Sequence, residues 1–543
     1  MPAAVATAAA PTITVTHTVV AATSVAQAWL TRATKHAYNL DRSKSTAKGG
    51  RMSAATADGT GTSSTGEHGS YGLLIGGEWQ ESASGARREI RSPYDGRTVG
   101  EVAAADTADV EAAIRAAERG AAVWRRTPAH ERAAILLRAA ALADERAEQL
   151  AATISAENGK PLAEALGEAR RSGAIIRLSV QEGTQLYGDS LPLDANPGTG
   201  QDKVGFTLRQ PVGIVAAITP FNYPALLVLH KVGPALASGN AVILKPAGAT
   251  PLTALALAQV FVEAGLPEGV LSVLTGSGAA IGDALVRDPR VRKISFTGST
   301  AVGERISSLA GVKKLSLELG ASSPTLVLPG ADIAQAAAAV ALGGYVNGGQ
   351  VCISVQRVVV HRAVEGDFLD ALTPLVEAIR MGDPSAEGTT LGPLITAGEA
   401  ERVERSVAQA VAEGGRLLTG GERDGAFVAP AIVTGIDTSQ AIAQEELFGP
   451  AIAVTTVDSF DAAIDAANGT PYGLAAGVFG GTLAEGIRAM REIDAGSVHL
   501  GWTPLWRADL MPYGGFKASG YGKEGVRSAV EEMTEVKTVV LHS

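Results

Sequence analysis

At 543 residues the chain is longer than one simple core can fill, so two or three domains are expected. Hydrophobic residues at 46% and charged residues at 19% are ordinary for a globular protein, and a net charge of −10 argues against a nucleic-acid backbone or an anionic membrane surface as the main partner. A single cysteine, Cys352, excludes an intramolecular disulfide and suits a cytoplasmic protein, and the scattered histidines lack ligand spacing, so no metal site is expected.

Residues 1–71 are rich in Ala, Thr, Ser and Gly and hold only Asp41, Asp58 and Glu67 as acids. Such a stretch buries too little apolar surface to offset its ordering entropy, and it is expected to be a disordered extension. Its basic bias before Met52 suits either an organelle transit peptide or a translation start placed too early, with Met52 the true first residue. Either way residues 1–51 are expected to be dispensable: a chain begun at Met52 should match the full-length protein in activity and melting temperature.

From Tyr71 onward the pattern is globular. Val110–Trp124 and Ala129–Glu157 carry apolar residues at helical spacing. Residues 187–209, with turn formers from Asn196 to Gly200, read as an exposed-edge β segment, as does Glu535–Leu541. The most apolar stretch, Gly213–Leu236, is broken by Pro220, Pro224, Pro234, His230 and Lys231, so it reads as a strand, a turn and a helix rather than a membrane span. Ala241–Leu244, Val270–Leu274 and Lys293–Phe296 are further buried-strand candidates, with a helical pattern over Leu252–Ala264 between them. Strands alternating with helices predict an α/β fold with a parallel sheet covered on both faces.

Several residues could carry chemistry. In the segment from Lys293 to Gly303 a strand runs through Gly298-Ser299 into a helix beginning near Thr300. That geometry aims free N–H groups at an anion such as a dinucleotide pyrophosphate, although many Gly-Ser turns bind nothing. Cys352 follows Gly348, Gly349 and Gln350, a polar and close-packing approach unlike a core run, though a lone cysteine also serves as a small buried hydrophobe. Glu318 lies among Leu315, Leu317 and Leu319. Buried, its pKa would rise toward that of a general base; on a strand edge it would be an ordinary surface carboxylate.

The run of motifs Pro220-Phe-Asn222-Tyr-Pro224, Leu244-Lys-Pro246, Phe296-Thr-Gly-Ser299, Leu317-Glu-Leu-Gly320, Gly349-Gln-Val-Cys352, Glu445-Glu-Leu-Phe-Gly-Pro450 and Pro512-Tyr-Gly-Gly-Phe-Lys517 resembles the aldehyde dehydrogenase superfamily from about Tyr71 to the C-terminus. The texture is similar to that of its lactaldehyde, phosphonoacetaldehyde and semialdehyde dehydrogenases. The resemblance implies a Rossmann-like cofactor domain (72–186 and 210–319), a second α/β catalytic domain (320–532, returning to the cofactor domain) and a small β-ribbon oligomerisation element (187–209 with 533–543). It implies a homodimer or homotetramer that oxidises a small-molecule aldehyde with NAD or NADP.

By the same resemblance Cys352 is the nucleophile, and Asn222 with the Cys352 N–H forms the oxyanion hole. Glu318 activates the hydrolytic water. Lys245 holds the adenosine ribose, Gly298 and Ser299 the pyrophosphate, and Glu446 and Phe448 the nicotinamide end. Gly248 stands where many NAD-preferring members have a glutamate that would repel a 2′-phosphate, so NADP should be tolerated. His230 occupies a position that is often an aromatic pocket residue. Arg507 either grips an acidic substrate tail or forms a structural salt bridge with Asp509 or a neighbour. Two alternatives stay open: a CoA-acylating semialdehyde dehydrogenase, against which Glu318 argues, and a non-catalytic structural protein on the same fold. An acyl-phosphate reductase is disfavoured on the same carboxylate.

Overall fold

The computed structural model describes residues 69–542. The extension therefore lies outside the described residues except at its end, where Ser70–Tyr71 is already a strand, paired in parallel with Glu101 and Val102.

Parallel strands make the body of the first sheet. Across it they run Lys314–Glu318, Val291–Thr297, Ile214–Ile218, Ala241–Lys245 and Leu271–Val273. Antiparallel partners close its edges: Leu73–Ile75 and Glu78–Gln80 on one side, Gly520–Tyr521 on the other. Ile214–Ile218 and Ala241–Lys245 are buried at every residue, which is why they read as unbroken apolar runs. Their side chains still alternate. Val215, Ala217, Val242 and Leu244 enter the core shared with helices Ala129–Glu145, Ala147–Asn158, Leu226–Ala237 and Leu252–Glu263. Ile214, Ala216, Ala241 and Ile243 face the core shared with Thr107–Trp124, Gly278–Arg287 and Thr300–Ala310.

The helical pattern expected to run unbroken from Ala129 to Glu157 divides at Arg146, whose backbone sits at φ −100° and ψ 11°. Arg146 turns out to reach Glu263 on a neighbouring helix at 3.2 Å, a tertiary contact that periodicity cannot reveal.

The strand order places the first strand, Ile214–Ile218, beside the fourth, Val291–Thr297. Connections leave these two strands in opposite directions, which opens a crevice at their carboxyl ends. Thr219 to Asn222 follows one strand and Gly298-Ser299 the other, so both motifs come to the same place.

Residues 319–323 carry the chain into the second sheet. Its order is Arg416–Thr419, Ala431–Thr434, Ala451–Val457, Arg357–His361, Pro324–Val327, Ala475–Phe479 and Ser497–Leu500, with only the first pair antiparallel. Cys352 lies between helix Ile333–Tyr345 and strand Arg357–His361. Apart from both sheets, Lys203–Pro211 pairs antiparallel with Thr534–His542 along its whole length, and Ser190–Leu191 takes its other side. Val204, Leu208, Val536 and Leu541 remain exposed on this ribbon. Among the described residues no helix is long and apolar enough to cross a membrane.

Candidate active site

Cys352 is presented by an unusual stretch of backbone. Asn347, Gly348 and Gly349 all have positive φ, at 51°, 65° and 69°. Only a residue without a side chain fits at 349, because a Cβ there would meet the Gly449 carbonyl oxygen at 2.1 Å. Gln350 then locks the turn, donating from Nε2 to the Asn347 carbonyl at 2.9 Å and accepting the Ile395 N–H at 2.9 Å. The Cys352 backbone N–H makes no hydrogen bond to a described residue. Its sulfur lies 3.0 Å from the Tyr513 hydroxyl.

Asn222 reaches the same turn from the first sheet, its Nδ2 donating to the Gln350 carbonyl at 2.8 Å. Its own carbonyl is clamped by the Lys160 ammonium at 2.9 Å and the Asn347 side-chain amide at 3.1 Å. Lys160 is in turn paired with Glu168 at 2.5 Å, both almost wholly buried, and Glu168 accepts the N–H groups of Ala225 and Leu226. Removing one member of such a pair strands the other charge and typically costs about 3–5 kcal/mol. Asn222 is thus held from behind by an ion pair that sequence reasoning missed.

Glu318 ends strand Lys314–Glu318 and is 3% exposed, with neither carboxyl oxygen hydrogen-bonded to the described residues. Burial first, and then the Glu524 carboxylate, push its pKa well above the usual range; Lys231, Arg507 and Lys523 pull the other way. Burial likewise pushes the Cys352 thiol up to about 12, with Glu446 and Glu318 adding to the rise and Tyr513 and Arg507 opposing it. These interactions bring Cys352, Glu318, Glu446, Arg507 and Tyr513 into one electrostatic neighbourhood.

Arg507 does not pair with Asp509. Its Nη atoms lie 3.4 Å from Glu524, its Nε has no hydrogen-bond partner among the described residues, and its guanidinium stacks 3.9 Å above the Tyr513 ring. Asp509 instead binds Arg171 and, at 3.2 Å, the Nε2 of His230. His230, expected at a position that is often an aromatic pocket residue, is fully buried in helix Leu226–Ala237, with its ring nitrogen against Asp509. The next residue, Lys231, donates to Thr297 at 2.7 Å and to Glu524 at 2.8 Å. Burial opposes the Glu524 charge, yet Lys231 and Arg507 outweigh it and hold this carboxyl down at about 2. The only sequence signal of Lys231 was a charge inside an apolar helix.

The remaining expected residues come from both sheets' loops and strand ends. Ser299 is exposed at the mouth of helix Thr300–Ala310, with no side-chain cap bond, beside Gly298. Burial, and then Arg88, lower the Lys245 ammonium to about 8, and its hydrogen-bond acceptor is the Pro246 carbonyl at 3.2 Å. At Gly248 a Cβ would come within 2.6 Å of an Arg88 guanidinium nitrogen, so Arg88 occupies the neighbourhood a glutamate side chain would enter. Glu446 accepts the Ala321 N–H at 3.0 Å, and burial raises its carboxyl to about 7. Phe448, at φ 47°, sets its ring edge-on to Phe221 at 5.9 Å. The open helix end at Ser299, the Lys245 ammonium and the bare Gly248 are of a chemistry that fits a dinucleotide.

The model of the Aldehyde dehydrogenase family matches residues 79–539. The 3-sulfolactaldehyde dehydrogenase of Priestia aryabhattai is 43% identical over 87% of this chain and 98% of that protein. The NADP-dependent succinate-semialdehyde dehydrogenase of Escherichia coli is 37% identical over 86% of this chain and 96% of its own length. The crystal structure of an NADP-dependent glyceraldehyde-3-phosphate dehydrogenase from Bacillus halodurans, complexed with NADP, superposes with a TM-score of 0.85 at 34% identity, covering 87% of this chain and 99% of that one.

The turn before the thiol supplies a direct test of the geometry. Gly349→Ala should cost about 1–3 kcal/mol in backbone strain alone and displace Cys352. The expected result is a lowered melting temperature with most turnover lost, and an unchanged melting curve would contradict the clash.

Proposed function

Since the chain belongs to the aldehyde dehydrogenase family and is an NAD(P)-dependent enzyme of that class, we propose that it oxidises its aldehyde through a covalent intermediate on Cys352. The observation that carries this reading is the unpartnered, buried carboxyl of Glu318 in the same neighbourhood as the Cys352 sulfur.

In this mechanism the Cys352 thiolate attacks the aldehyde carbon, forming the C–S bond of a thiohemiacetal. The carbonyl oxygen becomes an oxyanion, met by the free Cys352 N–H and by the Asn222 amide, which the Lys160 clamp keeps in place. The bound nicotinamide supplies the hydride acceptor. Loss of hydride from the thiohemiacetal leaves a thioester, and Glu318 takes one proton from the water that attacks it, so that the C–S bond breaks to release the carboxylic acid and the Cys352 thiolate; Glu318 then loses its proton to solvent. A carboxyl raised by burial is a stronger base than an ordinary one once ionised. With Glu318 so placed, water rather than CoA is the acceptor in this reading, and a purely structural role is disfavoured.

Cys352→Ser is expected to abolish oxidation with the fold intact, since a serine hydroxyl is far less ionised than a thiol. Glu318→Gln should lower turnover by about 10²–10⁴-fold, stop after at most one reduced cofactor per site, and remove the acidic limb of the pH–rate profile. That limb should lie above the ordinary carboxylate range, because the ionised base is lost as pH falls through a raised pKa. Near-normal turnover in Cys352→Ser would remove the nucleophile, and unchanged turnover in Glu318→Gln would remove the base.

For the substrate we read an aldehyde bearing an anionic tail. Arg507 sits over Tyr513 beside the thiol with its Nε unpaired and only long contacts to Glu524. Two relatives are named for aldehydes carrying a sulfonate and a carboxylate. Arg507→Ala should then weaken an anionic aldehyde about tenfold or more relative to a neutral one of equal length. Equal losses would make Arg507 purely a partner of Glu524.

At the cofactor end, Arg88 and Lys245 beside a bare Gly248 suit the 2′-phosphate, so NADP is accepted as well as NAD. Gly248→Glu should shift the kcat/KM ratio toward NAD by about tenfold to a hundredfold, and an unchanged ratio would move Gly248 away from the ribose.

Residues 72–186 and 210–319 act as the cofactor domain and 320–532 as the catalytic domain in this reading. The ribbon of 187–209 and 533–543 joins subunits into a homodimer or homotetramer, because an exposed apolar edge tends to be covered. A stable monomer in light scattering would contradict the assembly. In this reading the protein is cytoplasmic, a reading supported by its single cysteine; cell fractionation checks it.

A further inference from the structure

We infer that the Tyr513 hydroxyl is the hydrogen-bond donor that aims the Cys352 sulfur and makes its thiolate accessible, so that Tyr513 is a positioning residue for the nucleophile. The inference rests on the reading of Cys352 as nucleophile and extends it to a residue outside the expected machinery.

Sγ and the phenol oxygen are 3.0 Å apart, short for a contact with sulfur. Tyr513 is 4% exposed, and this is the contact its hydroxyl makes. It forms an antiparallel β-bridge with Glu524, its backbone pinned in both directions at 2.9 Å and 2.6 Å. The ring is covered by the Arg507 guanidinium at 3.9 Å, so its face is occupied and the hydroxyl is left aimed at the sulfur.

The electrostatics explain why such a donor is needed. The groups acting on the sulfur are Glu446, Glu318, Arg507 and Tyr513. Burial and the two carboxyls work against the thiolate, whereas Arg507 and the phenol favour it. Of these two, only the phenol touches the sulfur. Burial, together with Cys352 and Glu318, keeps the phenol itself protonated far above its ordinary range despite Arg507, so it stays a donor across the working pH range. When the thiol ionises in the free enzyme its proton passes to solvent, and the O–H bond of Tyr513 stays intact.

The chain has one cysteine, so thiol chemistry on the intact protein reports Cys352 alone. The test is alkylation by iodoacetamide across pH, with thiolate absorbance followed in parallel, on wild type and Tyr513→Phe without cofactor. A hydrogen bond to a charged group corresponds to a shift of about one to two pKa units. The Phe variant should therefore alkylate about tenfold to a hundredfold more slowly on the rising limb, with its absorbance midpoint raised and its melting temperature near wild type. An unmoved profile in a folded Phe variant would overturn the inference. If that variant fails to fold, 3-fluorotyrosine at 513 keeps the ring and strengthens the donor; the profile should then move to lower pH, and no movement overturns the inference. Because alkylation needs no turnover, this outcome is separate from the Cys352→Ser result that tests the nucleophile.

Discussion

The buried ammonium of Lys231 ties the site together. It rises from the helix that follows Asn222, donates to Thr297 at the end of the strand leading into Gly298-Ser299, and pairs with Glu524 on the returning C-terminal segment. Three pieces of chain distant in sequence thus share one cation. A lysine fully removed from water survives only with its partners satisfied, and breaking such a pair is strongly destabilising. That requirement ties together the helix following Asn222, the strand leading into Gly298-Ser299 and the segment bearing Arg507 and Tyr513.

The same ion pair explains how two buried carboxyls in one region acquire opposite characters. Glu524 has Lys231 and Arg507 beside it and stays ionised. Glu318 lacks a hydrogen-bonding partner among the described residues and feels Glu524 as a like charge, so burial dominates and its proton is held more tightly. Under the proposed mechanism Glu318, as base, has to meet water, whereas Glu524 stays paired. Environment alone separates these roles, as expected when neighbouring groups push pKa values apart.

Rigidity is distributed to match. Asn222 and Cys352 come from different sheets, yet the Gln350 carbonyl, the Asn347 side chain and the Lys160–Glu168 pair connect them through hydrogen bonds no longer than 3.2 Å. The backbone at Asn347, Gly348 and Gly349 is held in a left-handed conformation to present the thiol. By contrast Ser299 makes no side-chain cap bond to its helix, and Gly248 presents no side chain beside Arg88.

Much of the fold was legible in sequence because it depends on local periodicity. The alternation of Val215 and Ala217 with Ile214 and Ala216 forms two opposed cores, and the apolar runs near 213–218, 241–244 and 293–296 became adjacent strands. Glu318, Cys352 and Asn222 stood out because their motifs are short and contiguous. What the sequence could not show were partnerships made across long separations: Lys160 with the Asn222 carbonyl, Lys231 with Glu524, Asp509 with Arg171 and His230, and Tyr513 with the thiol. His230 and Arg507 were recognisable as residues of interest, but their partners depended on which face of a buried helix met the returning segment. Periodicity reports whether a side chain points inward; only the packed tertiary structure decides which charge it meets there, because a buried charge takes its character from neighbours within a few ångströms and not from its neighbours along the chain.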